Sequence, residues 1–176
     1  TQFLLTGATF EASGNPMTSP WQDAVRINTS GAVLIERGRI SAVGNKHELR
    51  AAHPGAQHVD YSGKLICPGF VDAHAHYPQT AMIASWGKQL IDWLNSYTFP
   101  EEMRFSDADF ARETAMQYLD LITAHGTTSV CSYTTIHPAS VDAFFEAAQA
   151  RSMAVVAGKT CMDRNAPDGL KDTPQS

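Results

Sequence analysis

The chain of 176 residues carries 13 Lys and Arg against 18 Asp and Glu, a formal charge of −5; that argues against a surface for nucleic acid or anionic membrane, since both attract basic clusters. With 43% hydrophobic and 18% charged residues, the composition suits a packed core and not a disordered chain. A whole (β/α)8 barrel is excluded, because that fold takes roughly 200 residues or more by itself.

The first third reads as a β layer. Phe3–Phe10 is a predicted strand, followed by the loop Ser13-Gly14-Asn15-Pro16 and a second strand, Ala24–Asn28. Val33–Glu36 and Arg39–Val43 flank Arg37-Gly38, which predicts a tight hairpin. Val33, Leu34 and Ile35 run without alternation, so that strand rests as much on the turn as on periodicity. Lys46–Ala52 is a predicted short helix before Pro54-Gly55. Near residue 66 the pattern changes to strand then helix, repeated. Phe70–His76 is an apolar-rich strand, and Gln89–Ser96 a short helix with Leu90, Ile91, Trp93 and Leu94 close to one face. Ser106 or Asp107 caps a longer helix, stopped by Gly126, with a buried stripe of Ala111, Ala115, Leu119 and Ile122. Thr127–Tyr133 is the next strand. Ser140 caps a helix whose inner side holds Val141, Phe144, Phe145 and Ala148, and Ala154–Thr160 is a third strand. This alternation predicts a parallel sheet with helices outside. Three such strands close no barrel. They belong either to a small open α/β domain or to the first portion of something larger.

Three widely spaced cysteines, Cys67, Cys131 and Cys161, form no C-x-x-C pair, so unpaired thiols in a reducing compartment are expected, as buried wall residues and not nucleophiles. Thr1–Phe10 lacks the basic and apolar regions of a signal peptide, and no run approaches the 18 apolar residues of a membrane span. The expectation is a soluble, cytoplasmic protein without membrane or nucleic-acid partners.

The strongest chemical signal is Pro68-Gly69-Phe70-Val71-Asp72-Ala73-His74-Ala75-His76. Side chains alternate faces along a strand, so Asp72, His74 and His76 are expected to point the same way. Imidazoles at i and i+2 have Cα atoms roughly 6.5–7 Å apart and can converge on one metal ion. They also stand at the carboxyl end of their strand, where barrel and open α/β sites form. A bare H-x-H is more often surface or satisfied core; the Pro-Gly entry, the apolar strand and the strand-to-helix exit strengthen the metal reading. Asp72 is not counted as a ligand. His47, His53 and His58 read as surface residues, His125 as a helix end, and His137 as either a pocket or a structural residue. The sequence has no zincin H-E-x-x-H, no H-x-E with P-C-x-x-C, no G-x-S-x-G elbow, and no phosphate or dinucleotide loop.

These residues resemble the amidohydrolase superfamily and, within it, the guanine deaminase family. The resemblance continues through His76-Tyr77-Pro78-Gln79, Asp92-Trp93-Leu94-Asn95-Ser96-Tyr97-Thr98-Phe99-Pro100-Glu101 and Gly126-Thr127-Thr128. It runs on through Thr134-Thr135-Ile136-His137 and Gly158-Lys159-Thr160-Cys161-Met162-Asp163-Arg164-Asn165. It implies an α/β (TIM-like) amidohydrolase barrel, represented by its first strands in residues 67–176. Residues 1–66 would then be the N-terminal part of a composite β-sandwich domain. It implies Zn2+-dependent hydrolytic deamination of guanine to xanthine and ammonia, with one zinc per subunit and a homodimer in the complete protein. His74 and His76 match the first two metal ligands, Gln79 the purine-contacting glutamine, and His76 with the main chain around Tyr77 and Pro78 would line the same pocket. No catalytic residue beyond the metal ligands is matched. The family's further histidines, proton-shuttling Glu, metal-side Asp and purine-binding Arg are not matched by Asp163, Asp168 or Asp172, so the remaining ligands are expected beyond Ser176. The 176 residues by themselves are therefore expected neither to hold zinc tightly nor to turn guanine over. Alternatives are a related amidohydrolase acting on another amino- or halo-substituted heterocycle, or a non-catalytic α/β module that binds through its open sheet edge.

Overall fold

The hairpin expected at Arg37-Gly38 forms, and both residues hold positive φ, 53° and 75°, the left-handed pair that matches the twist of two adjoining strands. The computed structural model describes residues 1–87, 89–173 and 175, and the chain divides into two units, Thr1–Pro68 and Gly69–Ser176. In the first unit, β1 (Gln2–Ala12) is followed by one helical turn, α1 (Trp21–Ala24), then β2 (Val25–Asn28), β3 (Gly31–Glu36), β4 (Arg39–Asn45), α2 (Lys46–Ala52) and β5 (Gln57–Ile66). The sheet runs β2-β1-β3-β4, with β5 parallel to β1. Gly31 to Leu34 are all buried, which is why an apolar run stands there instead of an alternation. Leu4, Ala32 and Leu34 form the core, and Ala42, Leu49 and Ala56 pack against it. Asn45 caps α2 by accepting the His47 N–H at 2.9 Å.

Strand β5 goes beyond the sequence reading. His58, Asp60, Ser62 and Lys64 alternate with a mostly exposed set, and Gly63 at φ 79° interrupts the pattern. Its partner β1 lies across an intervening hairpin and helix, so no local signal announces the pairing. The Thr6 hydroxyl lies 2.8 Å from His58 Nε2, which ties this histidine into the strand pair.

The second unit holds β6 (Phe70–His76), β7 (Thr127–Tyr133) and β8 (Ala154–Gly158) in one parallel sheet, order β6-β7-β8. Between β6 and β7 come a 3-10 turn (Tyr77–Met82), α3 (Leu90–Trp93), a wide π turn (Leu94–Thr98), α4 (Phe99–Met103) and α5 (Ala108–Ala124); α6 (Pro138–Ala150) joins β7 to β8. Asp107 caps α5 by accepting the N–H groups of Asp109 and Phe110. Small residues on the inner faces, Ala111 and Ala115 on α5 and Ala143, Ala147 and Ala148 on α6, form one core with Leu119, Val130, Phe144 and Tyr77. Ile122 packs against it half-buried.

Four expectations change here. The helix expected over Gln89–Ser96 is split, with Leu90 and Ile91 exposed and a π turn just ahead of Pro100. Proline has no N–H and its ring excludes the carbonyl four residues back, so the helix widens there. Helix α6 starts at Pro138 and not at Ser140, because proline suits a first turn. The Ser140 hydroxyl is instead buried against the Thr135 main chain and side chain. Phe145 is exposed and Ala143 takes the inner position. All three cysteines are unpaired, as expected, but exposed.

Gly69 answers to close packing, since a Cβ there would collide with the side chain of Thr128. Gly69→Ala is expected to destabilise the fold by about 1–3 kcal/mol, read as a lower urea midpoint at unchanged slope. An unchanged midpoint would refute the close approach.

Candidate functional site

Histidines 74 and 76 end β6 with ring centroids 5.3 Å apart. The strand is not regular before them. Its register against β7 shifts between Asp72 and Ala75, which places Asp72 opposite Val130 of the helix-facing core. Strict alternation would have aimed Asp72 with the histidines; the irregularity removes it from their set. The Asp72 carboxylate instead accepts the His74 N–H at 3.1 Å, so it shapes the strand that presents the histidine pair.

Tyr133 lies opposite His76 in the sheet and stacks on its ring at 4.7 Å and 19°, with His74 edge-on at 5.5 Å. Burial, and then the neighbouring His74, lower the proton affinity of His76. Both effects favour the neutral imidazole, the form that binds a metal. No third His, Cys, Asp or Glu among the described residues joins the pair in a metal-holding group.

The two histidines open on a cleft of about 460 Å3, lined also by Gln79, Met82, Trp93 and Tyr118. That volume lies in the range of small-molecule sites. Ala84, on the same wall, holds a left-handed φ of 64°, which costs a residue with a side chain about 1–2 kcal/mol. Gln79 reaches into the cleft from the turn after β6. Its Nε2 stands 3.3 Å from Glu102 Oε1 and 3.4 Å from His76 Nδ1. Glu102 on α4 is 7% exposed; burial pushes its carboxyl above the ordinary range, and the Gln79 amide draws it partly back. Burial and the Asp72 charge push the Tyr118 phenol up to about 12.

The structure gathers His74, His76 and Gln79 around one space. The side chains of Tyr77 and Pro78 are fully buried. The Tyr77 ring stacks on Phe144 at 4.9 Å and its hydroxyl donates to the Ser140 carbonyl at 2.6 Å. Only their main chain is left to face a ligand. His137 caps α6, its N–H donating to Thr135 Oγ1 and its carbonyl accepting from Ser140, and it does not line this cleft. His125 closes α5 through its Nδ1 and the Leu121 carbonyl, 2.8 Å apart. Glu102, Tyr133 and Tyr118 are neighbours that sequence reasoning did not single out. Tyr133 could have been found, because it ends a parallel strand on the side where such sites form. Nothing local marks Glu102.

Among the described residues no helix is long and apolar enough to cross a membrane. Residues 65–176 match the amidohydrolase family, and residues 31–56 the imidazolonepropionase-like composite domain of bacteria. The chain is 46% identical over 154 residues to guanine deaminase from Escherichia coli (strain K12), covering 87% of this chain and 35% of that protein. The solved structure of E. coli guanine deaminase superposes with a TM-score of 0.90 at 40% identity, covering 99% of this chain and 41% of that one. Guanine deaminase from C. acetobutylicum, solved with guanine in its active site, superposes with a TM-score of 0.76 at 29% identity, covering 98% and 39%. The chain thus spans well under half the length of these relatives.

Proposed function

Because the chain belongs to the amidohydrolase family, we propose that the protein carrying this sequence is a zinc-dependent hydrolase that deaminates guanine to xanthine and ammonia. The observation that carries this reading is the convergence of His74, His76 and Gln79 on one cleft. The 46% identity to a guanine deaminase supports the choice of substrate. The reading assigns residues 1–66 to a composite β-sandwich domain and residues 67–176 to the first portion of the barrel.

The donor set fits zinc, a borderline-soft ion that imidazole suits: two rings stand side by side, and the half-buried His76 is biased toward its neutral form. His74 and His76 would be two of its ligands. Zinc bound there supplies Lewis acidity, bringing the ionisation of water down to near-neutral pH. This chain's own residues do the rest of the positioning. Tyr133 holds the His76 ring by stacking. Gln79 offers an amide to the edge of a nucleobase, and the half-buried Trp93 supplies apolar wall for its face. The main chain at Tyr77 and Pro78 completes the turn that carries Gln79.

The reading also takes the protein as a cytoplasmic homodimer with one zinc per subunit, without nucleic-acid or membrane partners. Three exposed, unpaired thiols support a reducing compartment. The test is turnover by the complete, zinc-loaded protein on guanine, adenine and an amino-triazine. Equal release of xanthine and ammonia from guanine, in preference to the others, is expected. No turnover of guanine, or preference for the triazine, would overturn the reading.

A further inference from the structure

Glu102 is more than nine-tenths buried, yet among the described residues its carboxylate has one hydrogen bond, from Gln79 Nε2, and no ion pair. A buried carboxylate with so little compensation is unfavourable for folding, and an apolar residue would fill α4 without that penalty. Its partner lies 23 positions earlier in the chain and lines the cleft beside His76.

The chemistry of the pair is directional. An ionised carboxylate only accepts hydrogen bonds, whereas a glutamine amide has a donating NH2 and an accepting oxygen of nearly equal size. A glutamine without a fixed partner can present either end. The NH2 faces the Glu102 carboxylate at 3.3 Å, with His76 Nδ1 beside it at 3.4 Å, and no described residue hydrogen-bonds to Gln79 Oε1. Resting on the guanine reading above, we propose that Glu102 is a positioning residue that turns the Gln79 carbonyl to the cleft. The site thereby presents an acceptor to the N–H edge of the heterocycle. Guanine carries a ring N–H next to its exocyclic amine, so an acceptor suits that edge. A purine whose corresponding ring nitrogen is itself an acceptor places a lone pair against the Gln79 oxygen.

The test is a double-mutant cycle in the complete protein: wild type, E102Q, Q79L and both together, with guanine as substrate. E102Q keeps the shape but no longer dictates the amide's polarity. It is expected to raise KM for guanine roughly 10- to 100-fold, the usual range when a residue orienting a site group is lost, with the rise in KM exceeding any fall in kcat. In the Q79L background it is expected to have no further effect, because Glu102 acts only through Gln79. An unchanged KM in E102Q, or the same fold-effect with and without Gln79, overturns the proposal. Should E102Q fail to fold, E102D serves in the same cycle, since its shorter carboxylate withdraws from Gln79. A wild type that does not turn guanine over overturns the substrate reading and this proposal together; turnover with an indifferent E102Q overturns this proposal alone.

Discussion

Replacing His76 by alanine in the complete protein is expected to lower guanine turnover by on the order of 10³-fold and to leave the protein short of zinc. A catalytic metal contributes several kcal/mol of transition-state stabilisation, and each 1.4 kcal/mol is about tenfold in rate. Loss of the ion therefore outweighs the loss of any single contact around the cleft. His76 is the more exacting of the pair, because its ring is partly buried, stacked on Tyr133 and next to the Gln79 amide. The variant should fold, since the ring is not part of the hydrophobic core. Zinc content by mass spectrometry separates this account from a merely steric one. Full zinc occupancy with turnover within tenfold of wild type would remove His76 from the metal site. His74→Ala should follow the same pattern.

The largest effect on stability is expected from Phe144→Ala, a loss of about 3–5 kcal/mol, out of the 5–15 kcal/mol that holds a typical domain folded. Phe144 is fully buried between α5, the sheet and Tyr77, on whose ring it stacks, with Tyr118 tilted against it at 6.2 Å. Five of the ten other buried residues of its cluster are alanines, short side chains with little reach to refill the cavity. The consequence extends to the site, because Tyr77 directly follows His76 and is anchored by that stack. Urea unfolding of the complete protein should show the loss as a lower midpoint, with guanine KM rising in the folded remainder. A shift worth under about 1 kcal/mol would mean that the aromatic cluster relaxes around the gap.

Much of this was legible in the sequence because it is local. The Arg37-Gly38 hairpin, the Asp107 cap, the Ala111-Ala115-Leu119 stripe and the His74-x-His76 pair each depend on residues within a few positions of one another. Their backbone geometry follows from sterics and periodicity. The errors were also local in origin. Strict alternation misses the register shift after Asp72, and a helix bounded at Ser96 misses the wide turn that carries it on into α4.

The sequence by itself determined the His-x-His spacing, the change from a β layer to alternating strands and helices near residue 66, and the resemblance to the amidohydrolase family. It could do so because covalent neighbours hold their spacing whatever the rest of the chain does. Only the tertiary structure decided that β5 pairs with β1, that Tyr133 stacks on His76, that Tyr77 belongs to the core and that Glu102 meets Gln79. Those contacts join residues far apart in the chain, and packing and burial select them: a carboxylate on a helix reads as solvated until the fold closes over it and leaves one amide within reach.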